Sequence, residues 1–159
     1  MRIVLQRVSE ASVSSEGKVI GAIESGLVLF LCIENGDSEP IAERYASKIA
    51  FLRIFEDEEG KMNRSILEAG GKALLISQFT LAADAERGRR PSFDRAAPPD
   101  VARPLYEFFA QKLRATGVPV VTGIFQASMQ VSLINNGPVT LILNSDRISL
   151  YEGKAQEAI

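Results

Sequence analysis

The sequence has no histidine, no tryptophan and a single cysteine. Without histidine there is no Ser-His-Asp or Cys-His nucleophilic machinery and no His-ligated zinc. One cysteine forms no internal disulfide, and Cys32 lies in the apolar run "GLVLFLCIE", where a thiol packs as a small hydrophobe. A metal site would need oxygen ligands alone. The acidic stretch "EDEEGK" (56–61) reads as a charged turn around Gly60 rather than a calcium loop. No metal and no cofactor is therefore expected. Long apolar runs are also missing, since nothing approaches the roughly 18 residues that span a bilayer. The opening "MRIVLQRVSEASV" alternates and carries Arg2, Gln6 and Arg7, unlike a signal peptide. A cytoplasmic protein with no membrane partner is the resulting expectation. Neither sign of charge dominates: the net charge is −2 and the pI near 5.3, so bulk charge does not draw nucleic acid to this chain. One local basic cluster remains, "ERGRR" (86–90) with Arg87, Arg89 and Arg90, followed later by Lys112 and Arg114. By itself it reads as a solvated loop or as a phosphate contact.

What is present fits one domain with a sizeable core: 159 residues, 46% hydrophobic and 24% charged. The first third is strand-like, rich in Val, Ile and Leu and broken at Glu16-Gly17 and Ser25-Gly26. From Ser38 the period changes. Ile41, Tyr45, Ile49 and Leu52 recur at helical spacing, with Ser38 as N-cap and Pro40 in the first turn. "KALLISQFTL" (72–81) reads as a buried strand, and residues 82–100 as a long loop of the kind that often carries function. Asp100 is expected to cap a second helix with an apolar stripe of Val101, Leu105, Phe108, Phe109 and Leu113. Two further strands follow, "ASMQVSLI" and "PVTLIL", and residues 146–159 read as a polar tail after a domain of residues 1–145. The order predicts an α+β single domain with a largely antiparallel, barrel-like sheet and its helices on one face.

Two polar insertions interrupt apolar strands. "LINNGPVTLIL" (133–143) reads as strand, turn, strand, because Asn136-Gly137 is a strong hairpin signal. Pro138 sits awkwardly there, where a returning strand should donate hydrogen bonds. A stiff turn is the plain reading. The second insertion is Ser77-Gln78-Phe79-Thr80 at the end of the buried strand. A strand that runs into a loop leaves backbone N–H groups without ladder partners, and such donors can face a developing oxyanion without any titratable residue. A strand end satisfied by its own loop is the alternative.

Taken together these segments resemble one family, the D-aminoacyl-tRNA deacylases of the bacterial and eukaryotic type. The match runs through "RVSEASV", "GLVLFLCI", "LRIFEDEEGKMN", "SQFTLAAD", "GRRPSF", "TGIF…MQVSL" and "NNGPVTLIL", in consistent order over residues 1–145. Cys32 and Gln126 depart from the small residues usual at those places, and Gln126 bears on the shape of the pocket rim. The resemblance implies a homodimer with active sites at the subunit interface, where a Gly137-Pro138 cis bond enters the partner's pocket. It implies hydrolysis of the ester between a D-amino acid and the 3′ adenosine of tRNA, and removal of glycine from glycyl-tRNA, with L-aminoacyl-tRNA spared.

On that resemblance, backbone N–H groups around Gln78, Phe79 and Thr80, beside Ser77, are expected to hold the ester oxygen while water attacks, with the neighbouring 2′-hydroxyl as an assistant. Attack by Thr80 itself is the rival route, but no base is evident to activate it. Gly137 and Pro138 are expected to reject L side chains sterically. Phe79, Phe125 and Met129 are candidates for the adenosine or aminoacyl pocket and equally for the core. Arg7 either braces the Gly-Pro loop or is a surface strand arginine, and Arg87, Arg89 and Arg90 become candidate contacts to tRNA phosphates. Two other functions remain: a deacylase for a mischarged L-aminoacyl-tRNA, and a non-catalytic dimeric RNA-binding module.

Overall fold

In the computed structural model, residues 1–86 and 88–145 are described; Arg87 and the tail expected at 146–159 lie outside the described residues. One strand organises the sheet. Strand β1 (Arg2–Ser15) runs antiparallel to β2 (Lys18–Ile23) at its far end and to β3 (Gly26–Cys32) at its near end. The break between β2 and β3 at Glu24-Ser25 lets both follow the same edge of β1 in succession. The other edge of β1 is covered along nearly its whole length by β8 (Gln130–Asn144).

Two crossovers then extend the sheet. The first contains helix α1 (Glu39–Phe51) and a small hairpin, β4 (Phe55–Glu56) with β5 (Met62–Arg64), and leads to β6 (Lys72–Ser77). The second contains helix α2 (Pro99–Ala115) and leads to β7 (Val120–Thr122). Crossovers of this length join parallel neighbours, and both β3–β6 and β6–β7 are parallel. The antiparallel expectation thus holds for the pairs of β1 and fails for these two; the sheet is mixed. It also curls until it is nearly closed, because Gly21 of β2 lies against β7. A Cβ at Gly21 would stand 2.5 Å from Val121 Cγ1.

The described residues form a mixed α+β single domain with two α-helices and two hydrophobic layers. Beneath the helices, Ile3, Leu5, Leu27, Leu29 and Leu31 meet Tyr45, Ile49, Leu105 and Phe109. Inside the curl, Val8, Val13, Val28, Leu74 and Ile76 form the second layer. β3 serves both, so its unbroken apolar sequence follows from burial on two faces.

Some local expectations change. Ser38 is the N-cap residue of α1, but its side chain makes no capping bond. Asp100 is not the cap of α2. That helix begins after Pro98, leaving Asp100 in the first turn and Val101 half-exposed, while Ala102 and Tyr106 join the buried stripe. A Pro99 start suits the first turn of a helix, where an N–H has no internal partner. The charged turn is as expected: Gly60 has φ +76, and Asp57 accepts from the Glu59 and Lys61 N–H groups and from Asn63.

The largest correction concerns "LINNGPVTLIL". It is not a hairpin. Both halves belong to β8 and pair with the same strand, Val8 with Asn135 and Gln6 with Thr140. Asn136, Gly137, Pro138 and Val139 therefore face Arg7 alone, as a wide bulge in one continuous strand. Proline is tolerated because a bulge needs no ladder donor there. The Gly137-Pro138 peptide bond is cis.

Candidate active site

β6 ends earlier than its apolar run suggests. After Ser77 the chain leaves the sheet, and Phe79–Ala82 form a single 3-10 turn rather than the end of a strand. This decides which backbone donors are available. The Gln78 N–H bonds the Leu31 carbonyl at 2.8 Å, so it is not one of the candidate oxyanion donors. The first bond of the turn runs from Leu81 N–H to the Gln78 carbonyl. Phe79 and Thr80 precede it, and their N–H groups are the leading donors of the turn.

The carbonyl side of the turn is fixed from below. Cys32 Sγ lies 3.5 Å from the Phe79 carbonyl, and Arg2 Nη1 donates to the Leu81 carbonyl at 3.2 Å. Above it, the Phe79 ring meets Phe93 edge-on, with centroids 5.1 Å apart, which ties the long loop to the turn. The loop is anchored further on, where Asn35 N–H bonds the Arg95 carbonyl and Ala97 N–H the Ile33 carbonyl.

Between turn, loop and α2 opens an apolar cavity of about 450 Å³. Leu31, Cys32 and Ile33 form its floor, Ala96, Ala97 and Pro99 one wall, and Tyr106, Phe125 and Gln126 the other; Ser77 and Phe79 stand at the edge. Tyr106 is held in place by its hydroxyl, which donates to the Leu75 carbonyl at 2.9 Å, and burial drives that hydroxyl's pKa far up. Burial, reinforced by Glu34, pushes the Cys32 thiol up to about 11. At pH 8 only on the order of one thiol in a thousand would be ionised. A thiol reagent is expected to modify Cys32 in the folded protein far more slowly than in denaturant; equal rates would overturn this.

The candidate residues divide. Ser77, Phe79 and Phe125 share the cavity. Gln78 and Thr80 stand beside it, and Gln78 Nε2 donates to Thr80 Oγ1 at 2.5 Å. Met129 packs against the inner layer of the sheet instead of the cavity. Arg89 and Arg90 are exposed in the long loop. Lys112 is paired with Glu43 at 2.8 Å, and Arg114 donates to the Val120 carbonyl. Among the described residues no cluster of acidic, cysteine or histidine side chains could hold a metal ion.

Arg7 is no surface arginine; it is only 4% exposed. Its guanidinium donates to the Ile54 carbonyl at 2.6 Å, to the Asn136 carbonyl at 3.1 Å and to Glu56 at 3.1 Å. It therefore pins the flank of the Gly137-Pro138 bulge to the chain leaving α1. The cavity lies at one end of β3, by Cys32, and the bulge beside its other end, against the middle of β1. Arg2 is registered with Cys32 and Arg7 with Leu27, five residues apart, about 16 Å along an extended strand. One chain does not bring them together.

Tyr106, Arg103 and the Ala96-Ala97 wall were not singled out by sequence. Tyr106 had a usable signal, since it lies four residues after Ala102 on the buried stripe of α2. The alanines had none.

Comparison with known proteins places the sequence in one family. The family model described as D-Tyr-tRNA(Tyr) deacylase matches residues 4–144. A D-aminoacyl-tRNA deacylase of Thermomicrobium roseum is 58% identical, covering 91% of this chain and 94% of the relative. One from Geobacter metallireducens is 56% identical, covering 92% and 97%. Among solved structures, the c-Myc DNA unwinding element binding protein superposes with a TM-score of 0.86 at 40% identity, over 91% of this chain and 99% of the other. A probable eukaryotic D-amino acid tRNA deacylase shares the fold, with a TM-score of 0.75 at 17% identity over 89% and 97%.

Proposed function

The chain belongs to the D-Tyr-tRNA(Tyr) deacylase family, and from that premise we propose that it is a hydrolase cleaving the ester between a D-amino acid and the 3′ adenosine of tRNA. Free amino acid and tRNA are the products, glycyl-tRNA is a second substrate, and L-aminoacyl-tRNA is spared. One observation carries the reading: an apolar cavity of about 450 Å³ opens beside the first N–H groups of a rigid 3-10 turn. An activated ester needs its carbonyl oxygen held and water positioned more than it needs a strong base. In this mechanism the Phe79 and Thr80 N–H groups receive the developing oxyanion while water attacks, and the 2′-hydroxyl beside the ester assists. Ser77, Phe79 and Phe125 hold the terminal nucleoside, and Arg87, Arg89 and Arg90 meet acceptor-stem phosphates.

The geometry disfavours a covalent route through Thr80. Its hydroxyl oxygen accepts a bond from the Gln78 amide, a group that cannot take a proton from it. Thr80→Ala keeps the backbone N–H, so its turnover of D-Tyr-tRNA is expected to stay within about threefold of wild type; a loss of a hundredfold or more would restore Thr80 as nucleophile.

The proposal includes a homodimer. The separation of bulge and cavity along β1 favours a partner's Gly137 and Pro138 completing each site. The outward face of β8 supports this, with Ile134 55% and Ile142 75% exposed. The carbonyls of Gly137 and Pro138 would then close the pocket against an L side chain, and a hydrogen atom would pass, which is why glycine is included. Such a protein acts on cytoplasmic tRNA. The test is ester loss from D-Tyr-, Gly- and L-Ala-tRNA incubated with the protein. Loss of the first two alone is expected, and loss of only the third would make it a deacylase for L-aminoacyl-tRNA.

A further inference from the structure

Two of the polar side chains lining the cavity are directed at carbonyls of the protein itself. The Tyr106 hydroxyl donates to the Leu75 carbonyl, and the Cys32 thiol lies against the Ile33 and Phe79 carbonyls. Gln126 is different. It is an exposed residue at the cavity edge whose φ is +65, in the left-handed region that favours glycine. A non-glycine residue held in this conformation at a ligand cavity is where backbone strain tends to serve function. Its side chain is oriented as well: Gln126 Oε1 accepts from Arg103 Nη2 at 3.4 Å, which leaves both amide N–H donors for another partner.

Arg103 is placed with the same economy of motion. Its guanidinium lies 4.8 Å from the centroid of the Phe125 ring, and Phe125 itself lines the cavity. This cation–π contact holds the guanidinium at the cavity edge, with N–H groups to spare after the bond to Gln126. An amide donor and an adjacent oriented guanidinium, above an aromatic and aliphatic cavity, suit a base with a phosphate attached.

We infer that Arg103 and Gln126 form a recognition rim for a terminal purine nucleotide, in which Gln126 Nε2 donates to a ring nitrogen of the base and Arg103 pairs with its 5′-phosphate. This deepens the proposed function and rests on it for the identity of the nucleotide as the 3′ end of tRNA. The rim is a specificity element of the binding step and holds no reacting atom.

The test is calorimetric binding of adenosine and of adenosine 5′-monophosphate to the full chain. Wild type is expected to bind the monophosphate about tenfold tighter than adenosine, the scale of one charge-assisted contact. Arg103→Gln, which keeps a long polar stem over Phe125, is expected to bring that ratio close to one. Gln126→Gly relieves the positive φ, so the chain folds, and it is expected to weaken both ligands severalfold while the ratio persists. Equal wild-type affinities, a ratio unchanged in Arg103→Gln, adenosine affinity unchanged in Gln126→Gly, or no binding of either ligand would each overturn the rim. Cleavage of D-Tyr-tRNA without a monophosphate preference would refute the rim alone. A rim-dependent monophosphate preference without cleavage would refute the hydrolase alone.

Discussion

Gly137→Ala is expected to lower the ratio of D-Tyr-tRNA to L-Tyr-tRNA turnover by at least about tenfold, and D-Tyr-tRNA turnover itself by up to about a hundredfold. Gly137 has φ +122, a backbone conformation essentially confined to glycine. A Cβ there would stand 2.5 Å from Arg7 Nη2 and 3.0 Å from Val139 Cγ2. The far end of an arginine can usually swing aside, but this one is committed to Ile54, Asn136 and Glu56 and is buried. The bulge must yield instead. A shift of about 1 Å in the elements that close a site is enough for a loss of about a hundredfold. The backbone strain contributes on the order of 1–3 kcal/mol, so thermal unfolding of the variant separates a displaced bulge from a destabilised fold. A folded variant with the wild-type D/L ratio would remove Gly137 from chirality selection.

The same bulge shows where sequence reading stopped. Alternating β1, the two halves of β8 taken separately and the doubly buried β3 were legible because each pattern reports burial directly. Asn136-Gly137 misled because a hairpin signal describes only the turn. Whether the flanks then pair with each other or with a third strand depends on β1, more than a hundred residues earlier in the chain. The parallel pairs were hidden for a related reason, since strand direction is set by crossovers rather than by side-chain pattern. "SQFTL" was legible as a polar interruption, but its apolar residues concealed the end of β6 at Ser77. The fate of the Gln78 N–H depended on Leu31, a residue of another strand. Arg7 had two readings in sequence, and only its burial beside Glu56 and the Ile54 and Asn136 carbonyls chose between them.

The distinction between Gln78 and its neighbours sets the largest effect expected at the site itself. If the oxyanion is held by backbone, the decisive change removes an N–H and leaves the side-chain chemistry as a control. Position 79 permits this. It is the first residue of the 3-10 turn, a place where proline is readily accepted. Gln78 before it has φ −141 and ψ 75, outside the helical region that a following proline disfavours. Phe79→Ala removes the ring contact with Phe93 and part of the cavity wall, and is expected to act mainly through KM. Phe79→Pro removes the donor as well. Single-turnover hydrolysis of D-Tyr-tRNA by Phe79→Pro is expected to be slower than that of Phe79→Ala by a further 10²–10³, about 3–4 kcal/mol of transition-state stabilisation. Because Thr80→Ala keeps its own N–H and should stay near wild type, the pair separates backbone from hydroxyl chemistry. Equal rates for Phe79→Pro and Phe79→Ala would mean that the oxyanion is held elsewhere.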